Sequence, residues 1–146
     1  MFKNILICTD GSPLANKAAK SGILLAKALS AKVTGYSALE DLLPVYSEGY
    51  VFDQQTIDRF EDATRTAGQH RVDVIGKLAK DAGVPFTDLV TTSYAPHEGI
   101  INAAKSQKCD LIVMGSHGRS GFTKLLMGSV TQNVLTQSKM TVIVYR

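Results

Sequence analysis

The sequence predicts an α/β domain built on a doubly wound, five-stranded parallel sheet, and three observations predict it. Short continuous apolar runs stand at Ile5-Leu6-Ile7-Cys8, Leu111-Ile112-Val113-Met114 and Val142-Ile143-Val144, the pattern of strands buried on both faces. Stretches with helical spacing lie between the strand candidates. The alternation reads β-α-β-α-β-α-β-α-β, and parallel neighbours need right-handed crossovers that lay helices on both faces of the sheet. A length of 146 residues with 45% hydrophobic and 20% charged residues suits one globular domain over residues 1–146 and excludes a disordered chain.

The elements follow in order. Lys3 to Thr9 is the first strand. Ser12 is placed to cap the first helix with Pro13 at its first position, and Leu14, Ala18, Leu25 and Leu29 mark its apolar face. Ala31 to Ala38 gives a second strand. Leu39 to Phe52 carries Pro44, Gly49, two tyrosines and three acids without periodicity, which predicts a surface loop. Phe60, Ala63, Ala67, Val74, Leu78 and Ala82 mark a longer helix that stops at Gly83, ahead of Pro85. Phe86 to Ser93 is a third strand, and the next helix begins near Pro96 and buries Ile100, Ile101 and Ala104. Cys109 to Met114 and Met140 to Tyr145 complete the sheet.

Charge and composition narrow the function. Sixteen Lys and Arg against 13 Asp and Glu leave a net +3, too little for bulk nucleic-acid or membrane-surface binding. The excess is uneven: from residue 101 onward six basic residues face Asp110 alone, a local +5, which suits a small anionic ligand held by the C-terminal third. The N-terminal apolar run is too short for a signal peptide, and no stretch reaches the roughly 18–20 apolar residues that cross a bilayer. A soluble cytoplasmic protein is the expectation. Cys8 and Cys109 have neither redox nor metal-ligand spacing, so both are expected as buried thiols.

In an open parallel sheet, ligands bind beyond the carboxyl ends of the strands, where helix N-termini converge. The loops there are Asp10-Gly11-Ser12, Leu39 onward, Tyr94-Ala95-Pro96 and Gly115 to Ser129. The last is the richest in glycine, and glycine lets main-chain N–H groups turn toward a polyphosphate without obstruction by Cβ. One helix running from Ser120 to Gln137 would hold Gly128 inside it at about 1 kcal/mol relative to alanine. A helix starting at Ser129 would instead offer that hydroxyl and free amides to a phosphate, each charge-assisted bond contributing about 1.5–3 kcal/mol.

Neither the G-x-x-x-x-G-K-[ST] nor the G-x-G-x-x-G signature is present. Gly115-x2-Gly118-x9-Gly128-Ser129 stands instead, and it resembles the ATP-binding motif of the universal stress protein family. The resemblance covers the whole chain, from Ile5-Leu6-Ile7 running into Asp10-Gly11-Ser12, through Cys109 to Gly118, to Val142-Ile143-Val144. It implies the strand order 3-2-1-4-5 of the adenine nucleotide alpha-hydrolase-like fold, with ATP, accompanied by Mg²⁺, at the carboxyl edge. Asp10 and the main chain around Cys8 and Ala38 then look like the adenine and ribose contacts. Met114, Gly115, Ser116, His117 and Gly118, with Arg119 and Ser120, look like the ribose and phosphate loop; Gly128, Ser129 and Val130 look like the far phosphate cradle. The family also implies a homodimer joined through residues 140–145, an apolar edge with no internal lysine or proline to blunt it, and a role in stress response or signalling.

Blander readings stand beside these. Asp10 also serves as a turn-ordering carboxylate, Ser129 as a plain N-cap, and Arg119 and Lys124 as solvated loop charges. His117 reads as a loop histidine selected by backbone geometry, and no pair among His70, His97 and His117 has metal-ligand spacing. Asp41, Glu48, Asp53, Asp58, Glu61 and Asp62 read as a solvated acidic face. The leading expectation is a nucleotide-binding module without obligatory catalysis. The alternative is a slow Mg²⁺-dependent ATPase on the same fold, which lacks a P-loop lysine and an evident pair of acidic metal ligands. A flavodoxin-like or receiver domain is a third reading, and a receiver would want clustered acids after the first strand.

Overall fold

The computed structural model describes residues 1–39, 48–119 and 127–146. Five strands, β1 (Asn4–Cys8), β2 (Lys32–Leu39), β3 (Phe86–Thr92), β4 (Leu111–Gly115) and β5 (Thr141–Tyr145), alternate with four described helices: α1 (Pro13–Leu29), α2 (Gln54–Ala82), α3 (Pro96–Ser106) and α4 (Ser129–Gln137). All strand pairs are parallel and the order is β3-β2-β1-β4-β5. The doubly wound sheet is as expected. In the expected loop from Leu39 to Phe52, Leu39 instead ends β2, and residues 40–47, Asp41 among them, lie outside the described residues.

Alternating strand side chains feed two cores. Ile5, Ile7, Val33, Leu111 and Val113 meet α1 and α2 on one face. Leu6, Tyr36, Ile112 and Met114 meet Ile100, Ala104 and Val134 on the other. The helix faces match the expected ones in part: Ala18 is buried, and Leu25, Leu29, Leu78 and Ala82 pack half-buried against the core. On α1 the buried residues are Ala15, Ala18, Ala19, Gly22, Ile23 and Ala26, while Leu14, Leu25 and Leu29 flank them half-buried. Small residues win because the helix lies close to the sheet: a Cβ on Gly22 would come within 2.8 Å of Ile7 Cδ1. On α2 the buried line is Gly68, Val72, Ile75 and Ala79, and Val74 is exposed.

Gly35, an unusual residue for a central strand, has the same cause. Phe86 reaches over from β3 and fills the space that a side chain would need, with ring carbons 2.8 and 2.9 Å from the Cβ position. Gly76 of α2 abuts the same ring at 2.9 Å. The helix α2 starts earlier than its apolar spacing indicated, because Asp53 caps it by accepting from Thr56 N at 2.8 Å. Glu48, Asp53, Asp58, Glu61 and Asp62 are exposed, a solvated acidic face. Ser12 caps α1 as expected, accepting from Ala15 N at 3.2 Å.

Candidate functional site

The carboxyl edge of the sheet is organised by one carboxylate. Asp10 follows β1 and accepts from Ser12 N through Oδ1 at 2.9 Å, the turn-ordering role. Its other oxygen accepts from Arg119 N at 2.8 Å, so the same side chain fastens the loop after β4 to the loop after β1. Gly118 is needed for that closure, since a Cβ there would sit 2.5 Å from Asp10 Oδ2. Half-burial raises the Asp10 pKa, but the hydrogen bonds from Ser12 and from the Arg119 amide outweigh it and hold the carboxyl below its ordinary range.

The start of α4 resolves the choice posed by Gly128. The helix begins at Ser129, and Gly128, extended at φ −62° and ψ 147°, is its N-cap residue without a side-chain cap. Ser129 is therefore the first helical residue and not the cap. Close approach favours glycine at 128: its Cβ position lies 3.2 Å from His117 Cα and 3.4 Å from Ser116 O. The first intrahelical bond runs from Gln132 N to Gly128 O at 3.0 Å, so the amides of Ser129, Val130 and Thr131 precede the helical ladder.

These pieces border a cleft of about 1030 Å³, the size of a small-molecule site. Cys8, Asp10, Ala38, Met114, Gly115, His117, Gly118, Arg119, Gly128, Ser129 and Val130 all line it. Ser116 is not among the described lining residues: it is buried under the loop, its N donating to Tyr145 O and its O accepting from Gly128 N, both at 2.8 Å. Its hydroxyl lies 3.0 Å from His117 Nδ1. Ser120 and Lys124 lie outside the described residues.

The universal stress protein family model matches residues 1–146. The chain belongs to this family. A universal stress protein of Thermus aquaticus is 31% identical over 146 residues, covering all of both chains. The solved structure of protein MJ0577 of Methanocaldococcus jannaschii superposes with a TM-score of 0.81 at 28% identity, covering 99% of this chain and 96% of that one. A universal stress protein solved in complex with cAMP has a TM-score of 0.69 at 24% identity, covering 99% and 97%.

Within this universal stress protein fold, spacing and charge missed part of the lining. Arg71 comes from α2, outside the basic C-terminal third, and its stem packs over Gly11, Cγ lying 3.2 Å from the Cβ position there. A helix pattern centred on Val72 and Ile75 would have set it at the border of the helix. Tyr36 lines the floor, its hydroxyl 2.9 Å from Thr91 Oγ1, and burial pushes its pKa up. Tyr94, in a loop already marked by its place after β3, stands 72% exposed at the edge of the cleft. Both cysteines are buried, and burial, the larger cause, pushes each thiol up, which leaves Cys8 an apolar part of the cleft floor.

The donors suit phosphate oxygens better than a protein-held cation. Asp10 is the cleft's carboxylate among the described lining residues, and both of its oxygens already accept main-chain N–H groups. A Mg²⁺ ion arriving with a triphosphate would be held chiefly by phosphates and water. No helix among the described residues is long and apolar enough to cross a membrane.

Proposed function

We propose that the chain binds ATP in this cleft and acts through occupancy of the site, in a stress response or signalling role in the cytoplasm. The adenosine lies toward Cys8, Asp10 and Ala38, and the phosphates lie on the loop after β4 and the first turn of α4. The observation that carries the reading is the start of α4: Gly128, Ser129, Val130 and Thr131 all border the cleft, where amides ahead of the helical ladder and the positive end of the helix dipole meet. Arg71 and Arg119 add cationic side chains to the same lining. The cAMP complex of a structural relative supports an adenine nucleotide as the ligand.

The test is mass spectrometry of ligand released from purified protein, followed by calorimetry with ATP and Mg²⁺. Intact ATP, with phosphate release far slower than one per second, is the expected result. A protein that binds no adenine nucleotide overturns the proposal, and turnover of several per second replaces it with the ATPase reading.

Two copies pair in this proposal through β5. It is an edge strand, carries neither lysine nor proline from Thr141 to Tyr145, and leaves Ile143 39% exposed. Two-fold antiparallel pairing would satisfy its outer backbone groups in a closed assembly. Light scattering should give about twice the chain mass of 15.7 kDa, and Ile143→Pro should return it toward monomer.

A further inference from the structure

The cleft has two unlike walls. On the side of β4 and α4 it is rich in glycine and polar groups, with Gly115, Gly118, Gly128 and Ser129 beside His117 and Arg119. On the side of β2, β3 and α3 it is mostly apolar, with Tyr36, Ala38, Leu39, Pro96 and Ile100. Tyr36 itself is 1% exposed and fixed through its hydroxyl to Thr91, so its ring belongs to the core and has no freedom to cover a ligand. Tyr94 is the contrary case. It borders the cleft on the same side with 72% of the residue in solvent, although a single exposed aromatic elsewhere on a surface would need no explanation.

The loop that carries Tyr94 is short and tied at both ends. Ser93 Oγ donates to Ala95 O at 2.8 Å across Tyr94, and Pro96, with its fixed φ, opens α3 immediately after. Ala95 O in turn accepts from Glu98 N and Gly99 N at 3.0 and 3.1 Å. A ring held at the rim by such a loop loses little further backbone entropy when a flat ligand settles against it.

We infer that Tyr94 is a stacking platform for the base of the bound nucleotide, which makes the cleft selective for base-bearing ligands over bare polyphosphates. The inference rests on the proposed nucleotide site and adds to it a residue that the glycine motif does not contain. Stacking on an aromatic face is tolerant of base identity. Tyr94 therefore discriminates for the presence of a base, and the choice of adenine falls to the main chain around Ala38.

Calorimetry on the full chain tests this with ATP and with inorganic tripolyphosphate as ligands. Tyr94→Ala should weaken ATP by about 5- to 150-fold, the range seen when a base loses an aromatic partner, and leave tripolyphosphate unchanged. Tyr94→Phe should stay within about twofold of wild type for both ligands, and Tyr94→Leu, which keeps apolar bulk without a π face, should behave like alanine. The chain has no tryptophan, so Tyr94→Trp provides a single indole whose emission should change with ATP and not with tripolyphosphate. Equal losses for ATP and tripolyphosphate would show a loop defect and overturn the assignment, as would wild-type ATP affinity in Tyr94→Ala. If wild type binds tripolyphosphate but no nucleotide, the proposed ligand fails and this inference fails with it; ATP binding indifferent to Tyr94 defeats this inference alone.

Discussion

The two ends of the sheet use the same device for different ends. At the amino edge Asp110 accepts from Lys3 N and Asn4 N at 2.8 and 3.1 Å, joining β4 to the start of β1. Asn4, itself buried, donates to Gln107 O at 2.7 Å, and Asp110 N returns a bond to Asn4 O at 2.9 Å. That edge is closed by its own side chains. At the carboxyl edge Asp10 also takes two main-chain donors and also joins the β1 and β4 connections. There the space beside the carboxylate is kept clear by Gly118, and the result is an open cleft. Two aspartates with equivalent bonding thus give a seam at one end and the rim of a site at the other. What differs is the residue type around them.

The strongest challenge to that contrast is Gly118→Ala. One methyl group must displace Asp10 Oδ2 from the Arg119 amide, so ATP affinity should fall by roughly tenfold or more in calorimetry while far-UV circular dichroism stays near wild type. Undiminished affinity would remove the loop from the site.

A matched pair comes next. Asparagine offers one acceptor oxygen where aspartate offers two, so Asp10→Asn and Asp110→Asn each leave one main-chain donor unmet. Both should lower the melting temperature by about 2–5 °C. Only Asp10→Asn should weaken ATP, by about tenfold, and an equal loss in Asp110→Asn would erase the distinction between the two edges.

The Asp10 carboxyl also carries a pH signature. Because hydrogen bonding in the folded chain holds its pKa below the ordinary value, its contribution to stability is full above the unfolded-state pKa and is lost as pH falls through the depressed one. The melting-temperature gap between wild type and Asp10→Asn should be constant above about pH 5 and shrink in more acidic solution. A gap that instead grows with acid would contradict the assignment.

Ser129→Ala should have the smallest effect. Gly128 is the cap residue, so no capping bond is lost and the melting temperature should stay within about 1 °C. One hydroxyl bond to phosphate, about 1 kcal/mol of ATP affinity, is what remains to lose.

Strands and glycines were legible for different reasons. The apolar runs of β1, β4 and β5 declare two-sided burial by themselves, and Ser12-Pro13 declares the start of α1. The glycines after β4 stand out because nothing in a helix or strand would call for them. Gly35 was obscure, since its reason is the ring of Phe86 about fifty residues away. The core line of α2 lies one residue beyond the expected one, because Gly68, Ile75 and Ala79 are buried where spacing points to their neighbours Ala67, Val74 and Leu78. Arg71 could not be assigned to the cleft before the topology set α2 beside the turn at Gly11. The identity of the cap at α4 depended on backbone angles that a Gly-Ser pair leaves open.

Ser116 joins two structures that the chain's order keeps apart. Its amide holds the carbonyl of Tyr145, the last residue of the edge strand, and its carbonyl holds the amide of Gly128, where α4 opens. A single residue's span therefore separates the outermost ladder of the sheet from the mouth of the cleft. Binding free energies at linked sites are reciprocal. Any preference that a bound ligand expresses for one setting of β5 would be returned in full by whatever pairs with that strand, and the two bonds of Ser116 are the direct backbone link between them.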